Sequence, residues 1–245
     1  QRQMCKETVS NVYPGPHVDL VPQAFTLDDN YNQSLAQLGF VVINFAYRGS
    51  GPWRGRDFHT FGYGNLRDYA LADDMAAIRQ IAARYPCADI ERVGIYGHSG
   101  GGFMTVAAML NHPEFYKVGV AASGNHDNNI YSQWWGETFH GVKQTWGKDG
   151  KPHFECHIPT NIELADRLAG RLLLITGDMD NNVHPASTAR LADALIRARK
   201  RFDMTVIPGA DHGLGNSYYV NLIRYYFTEH LLGLPQQEID IVKHN

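Results

Sequence analysis

Cysteine is scarce: Cys5, Cys87 and Cys156 are an odd, scattered set in 245 residues, so no disulfide framework is implied and no redox compartment follows. Long apolar runs are absent as well. No stretch approaches the roughly 20 consecutive apolar residues of a membrane-spanning helix. The first residues carry no signal-peptide pattern, and the chain opens on Gln1, as expected of a processed or truncated product. Neither charge dominates: 22 Lys and Arg stand against 25 Asp and Glu, a formal net charge of −3. That balance removes the electrostatic case for nucleic acid or an anionic membrane as partner. The one basic run, Arg197 to Arg201, lies at the end of a helical pattern, where it suits the negative end of the helix dipole. Internal repeats, low-complexity tracts and linker-like stretches are also missing, which points to one domain of the larger sort. A chain of this length, 44% apolar, can bury a core without disulfides or metals.

What is present is alternation. Phe40–Phe45 is a nearly continuous apolar run, as expected of a strand buried on both faces, and Arg92–Tyr96, Val118–Ala122, Arg171–Thr176 and Met204–Ile207 also read as strands. Between and after them, helical periodicity covers Asp68–Tyr85, Phe103–Leu110, Pro185–Ala198 and Ser217–Leu231. Such strand–helix alternation implies an α/β fold, a mostly parallel sheet with helices on both faces. Residues 127–163, rich in Trp, His, Asn and Gly, break the pattern and read as an insertion near the mouth of the sheet.

The segment with chemistry is Gly97-His98-Ser99-Gly100-Gly101-Gly102, between a predicted strand and a predicted helix. That is the context of a nucleophile elbow: the serine occupies a strained turn, and the residues two away must be tiny so that strand and helix can approach. A Walker-type phosphate loop is excluded because Phe103 and Met104 follow the glycines, and the run does not fit a G-x-G-x-x-G fingerprint. In an α/β-hydrolase the acid and then the histidine follow the serine, each after a later strand. His212, in the Gly-flanked loop after the last strand, is the expected base among 12 histidines. The acid is Asp178 or Asp180; spacing alone does not choose.

These residues resemble the prolyl oligopeptidase family, especially its dipeptidyl peptidase IV branch. The likeness runs from about Tyr13 to Leu232 and rests on Tyr13-Pro14-Gly15-Pro16, Arg48-Gly49-Ser50-Gly51, Gly97–Gly102, Asp180-Asn181-Asn182-Val183-His184 and Asp211-His212-Gly213. The resemblance implies an α/β-hydrolase fold and a triad of Ser99, Asp180 and His212. It also implies an oxyanion hole made by Tyr13 and the Gly100 N–H, and substrate contacts from Asn182 and Val183. Two departures stand out. Gly100 occupies the place where the family usually has Tyr, a wall of its proline pocket, and the aromatic cluster after the next strand is replaced by Ser123–Tyr131. A larger, more polar pocket is expected, with Asp127 and Trp134 among its substrate-binding residues. Family members also carry an N-terminal propeller, and neither it nor the usual leading edge strands are expected in these residues.

Other signals are weaker. His153-Phe154-Glu155-Cys156-His157 has ligand-type side chains, but Pro152 and Pro159 argue against the helix that a zinc-binding H-E-x-x-H motif needs. No metal or cofactor is expected. Asn32-Gln33-Ser34 matches a glycosylation acceptor, a triplet common by chance. The first expectation is a serine peptidase acting on a peptide, with post-proline cleavage one option, through an acyl-enzyme. Its rivals are a carboxylesterase on small esters with the same triad, and a non-catalytic hydrolase-fold binding module. Oligomeric state and compartment stay open, a homo-oligomer and a periplasmic or secreted location being working expectations.

Overall fold

A computed structural model describes residues 6–21, 24, 31–215 and 217–235; Cys5 and Gln1 lie outside them. The chain order is β1 (Lys6–Asn11), α1 (Asn32–Gln37), β2 (Val41–Ile43), α2 (Arg56–His59), α3 (Leu71–Arg84), β3 (Ala88–His98) and α4 (Gly100–Asn111). There follow β4 (Tyr116–Ala122), α5 (Gln133–Phe139), β5 (Lys143–Trp146), β6 (Pro152–Glu155), β7 (Arg171–Gly177), α6 (Ala186–Arg197), β8 (Asp203–Ile207) and α7 (Ser217–His230). The main sheet has the order β2-β1-β3-β4-β7-β8, and every pairing in it is parallel. This is an α/β-hydrolase sheet. β5 and β6 form a separate antiparallel hairpin inside the predicted insertion.

Two cores follow from the pleat. Successive side chains of a strand point to opposite faces. Leu172 and Leu174 of β7 therefore join Ile78 of α3, Met109 of α4 and Leu191 of α6 on one face. Leu173 and Ile175 join Ile207, Leu35 and the α7 residues Ile223 and Phe227 on the other. All four β7 side chains are buried, as a continuous apolar run in a doubly covered parallel strand requires. Each contributes roughly 1.5–3 kcal/mol by leaving water.

Strand β1 is not among the strands expected from apolar runs. Its Glu7, Thr8 and Ser10 are buried polar residues, so it has no continuous apolar signature. Burial is offset by partners. Glu7 pairs with Arg92, and Ser10 Oγ–H donates to Asp74 Oδ1 at 2.6 Å. Asp74, fully buried on α3, also accepts from Tyr47 OH at 3.2 Å and Tyr116 OH at 2.5 Å. Burial pushes the Asp74 carboxyl up, against the downward pull of those three hydroxyls. The cluster ties β1 to β4 and α3, and β1 leads straight into the loop that carries Tyr13.

Candidate active site

The site is built at the carboxyl ends of the central strands. β3 ends at His98 and α4 begins at Gly100, so Ser99 alone makes the turn. Its backbone sits at φ 57°, ψ −120°, a conformation rarely adopted by L residues and of a kind stored at functional sites. The Ser99 N–H donates to the Ala122 carbonyl at 2.8 Å, pinning the turn to the end of β4. A Cβ on Gly97 or Gly101 would overlap the Val12 carbonyl oxygen, which is why only glycine fits two residues to either side of the serine. The Gly100 N–H, in the first turn of a 12-residue helix, has no carbonyl of its own helix to bond and carries part of the positive end of the helix dipole.

Two later loops return to Ser99. His212, between β8 and α7, places Nε2 3.0 Å from Ser99 Oγ. Its Nδ1 lies 2.8 Å from Asp180 Oδ2. Asp180 follows β7 and its side chain is shielded from solvent. Its other oxygen, Oδ1, accepts the N–H groups of Asn182 at 3.0 Å and Val183 at 2.9 Å, which aims the carboxylate. Asp178 does something else: exposed, it accepts the Gly209 N–H at 2.6 Å and clips the β8 loop to the end of β7. The geometry thus separates the two aspartates that spacing left equal.

Tyr13 lies in the loop after β1. Tyr69, buried, donates its OH to the Pro14 carbonyl at 2.7 Å and holds that loop down. Burial, the larger cause, and the neighbouring Tyr13 both push the Tyr69 phenol well up. A methyl on Gly100 would stand 3.8 Å from Tyr13 Cζ, so the phenol end of Tyr13 faces the start of α4. Tyr13, Ser99, Gly100, Trp135, Val183 and His212 line a cavity of about 330 Å³. A second cavity of about 250 Å³ shares Asn125, Tyr131, Asn182 and Val183 with the first and is lined also by Asp127. At the shared wall, Tyr131 OH donates to Asn182 Oδ1 at 2.8 Å.

The remaining expected pocket residues fare differently. Asp127 is buried, but its carboxylate already accepts the Asn129 N–H at 3.1 Å and pairs with Arg190 at 3.2 Å. Trp134 is 71% exposed and lines neither cavity. Neighbouring residues on a helix point about 100° apart, so when Trp135 of α5 faces inward, Trp134 faces out. His98 and Asn125 line the first cavity without having been singled out. His98 falls at the variable position of the elbow motif, and Asn125 just past the end of β4. The His153–His157 segment lies largely on the exposed β6, and among the described residues no group of three His, Cys, Asp or Glu could hold a metal ion.

Beneath the second cavity wall, His126 is fully buried and its Nδ1 accepts from Asn161 Nδ2 at 3.2 Å, so the ring proton sits on Nε2. Burial pushes its pKa from 6.5 down to about 3. The sign is then fixed. The ring stays neutral in the fold while the unfolded chain takes up a proton near pH 6.5, so this stabilisation is present above pH 6.5 and is lost as pH falls toward 3. Urea titrations across that window should show stability falling by up to ~1.4 kcal/mol per pH unit from this group, with a shallower slope in His126→Gln. Equal slopes would contradict the assignment.

The geometry can be set beside known proteins. Residues 26–234 match the model of the prolyl oligopeptidase family. Human dipeptidyl peptidase 8 is 29% identical over 225 residues, 89% of this chain and 24% of its own length. Porphyromonas gingivalis dipeptidyl peptidase 4 superposes with a TM-score of 0.73 at 27% identity, over 86% of this chain and 28% of that one. A dipeptidyl aminopeptidase IV candidate from Bacteroides ovatus gives a TM-score of 0.80 at 29% identity, over 93% of this chain and 32% of its own. The chain thus spans about a quarter to a third of the length of these relatives. With the elbow, the acid loop and the base loop in family order on a parallel sheet, and the family model matched along most of its length, the chain belongs to the prolyl oligopeptidase family.

Proposed function

We propose that this protein is a serine peptidase that cleaves peptide bonds through an acyl-enzyme. The observation that carries the reading is the continuous hydrogen-bonded line from Ser99 Oγ to His212 Nε2 at 3.0 Å and from His212 Nδ1 to Asp180 Oδ2 at 2.8 Å. In this reading His212 takes the Ser99 proton as Oγ attacks the scissile carbonyl, then gives it to the departing amine. Asp180 keeps the second ring proton on Nδ1, which leaves Nε2 free to accept. The N–H of Gly100 and the phenol of Tyr13, whose ring end lies beside Gly100, are the donors available to the oxyanion. Val183 and Asn182, tethered to Asp180 through their own N–H groups, form the cavity wall next to the acid. Membership in a family with dipeptidyl peptidase relatives supports a peptide as substrate.

The oxyanion assignment has its own test. Tyr13→Phe removes one donor and should lower kcat about 10²–10³-fold while moving KM by much less. Unchanged turnover on an aminoacyl p-nitroanilide would show that Tyr13 does not hold the oxyanion.

A further inference from the structure

His98, at the last position of β3, has no part in the proton path from Ser99 to Asp180, yet it touches the base from behind. Its Nε2 lies 2.5 Å from the backbone carbonyl oxygen of His212. A carbonyl only accepts, so Nε2 carries the proton and donates. The two imidazole rings also lie against each other, with centroids 4.7 Å apart and planes tilted by 56°.

The loop that carries His212 needs such a hold. Gly209, Asp211, Gly213 and Gly215 are all exposed. Its backbone is tethered earlier from the β7 side, by Asp178 on the Gly209 N–H and the Met179 N–H on the Ala210 carbonyl at 3.0 Å, and Leu214 is buried in the core after it. After those, the loop turns with its own bonds, Asp211 accepting from the N–H groups of Gly213 and Leu214. The His98 contact reaches the backbone of His212 itself, and it comes from the strand that presents Ser99. One rigid element therefore sets the position of both nucleophile and base.

We propose that His98 is a positioning residue: its Nε2–H anchors the His212 backbone to the end of β3, fixing the spacing of His212 from Ser99. This rests on the serine-hydrolase reading above. Burial pushes the His98 pKa down, against the upward pull of its hydrogen bond to the His212 carbonyl. An error of about 1 Å in placing a catalytic group can cost on the order of 10²-fold in rate.

The test uses the full chain and two readouts, the rate of covalent labelling of Ser99 by a fluorophosphonate probe and hydrolysis of a p-nitrophenyl acyl ester. His98→Phe keeps a ring and removes the donor. His98→Gln places an amide nitrogen near the Nε2 position, whereas the shorter His98→Asn does not reach it. The Phe and Asn variants should label and turn over about 10- to 100-fold more slowly, with KM within about threefold of wild type. The Gln variant should recover most of the loss. Labelling at the wild-type rate in the Phe or Asn variant would overturn the proposal, as would a Gln variant as slow as Phe. Should Phe fail to fold, the Asn-to-Gln comparison decides alone. Absence of labelling in the wild-type chain would instead overturn the hydrolase reading on which the proposal stands.

Discussion

Replacing Ser99 by alanine is expected to lower turnover by ~10⁴-fold or more. The hydroxyl is the only group that the strained turn, at φ 57°, presents to His212 Nε2, and no neighbour can take its place: Gly100 and Gly101 carry no side chain. Alanine keeps the backbone and loses a single oxygen, so circular dichroism and the unfolding midpoint should stay close to wild type. The residual rate would come from the oxyanion donors and from substrate binding alone. Initial rates on aminoacyl and dipeptidyl p-nitroanilides and on p-nitrophenyl acyl esters make the measurement. Retention of more than a few per cent of either activity in the folded variant would remove Ser99 from the mechanism.

The second large effect separates two aspartates two residues apart in sequence. Asp180→Asn should lower kcat about 10⁴-fold, because the carboxamide can present its N–H to the ring and favour the tautomer with the proton on Nε2. That tautomer cannot accept the Ser99 proton. The variant should still fold, since its amide oxygen can receive the N–H groups of Asn182 and Val183 that Asp180 Oδ1 receives now. Asp178→Asn keeps an oxygen for the Gly209 N–H and touches neither His212 nor Ser99, so its rate should fall by less than about tenfold. Equal losses, or the reverse order, would mean that the loop after β7 offers the other carboxylate to the base.

Much of this molecule is legible in its sequence where one signal dominates. Strands β3, β4 and β7 are found because doubly buried parallel strands need unbroken apolar runs, and the elbow because its glycines have no steric alternative beside the Val12 carbonyl. Strand β1 is illegible for the opposite reason. Its burial is offset by long-range partners, Asp74 for Ser10 and Arg92 for Glu7, which lie 64 residues away in the first case and which no local pattern reveals. The hairpin β5–β6 exposes all eight of its residues, so it has no burial pattern to read. At the site, the choice between Asp178 and Asp180 turns on the path of one loop. That Trp135 and not Trp134 lines the first cavity turns on the phase of a seven-residue helix, which an adjacent pair of like residues cannot show. His98 was hidden by its own motif, whose variable position next to the serine carries no expectation.

The pocket follows the same logic. Gly100 removes a side-chain wall beside Ser99, and Asn125, Asn182 and Tyr131 bring polar groups to the cavities. An activated ester, whose leaving group needs no proton, makes smaller demands on that pocket than an amide, whose nitrogen must be protonated by a closely placed His212.

The most direct measurement is therefore to trap the covalent intermediate. The protein is mixed with a p-nitrophenyl acyl ester, quenched in acid during the initial burst and examined by intact-mass and peptide-mapping mass spectrometry. The expected result is one added acyl group per chain, mapped to Ser99, and absent from the Ser99→Ala protein. Turnover with no acyl adduct, or an adduct on any other residue, would contradict the central claim.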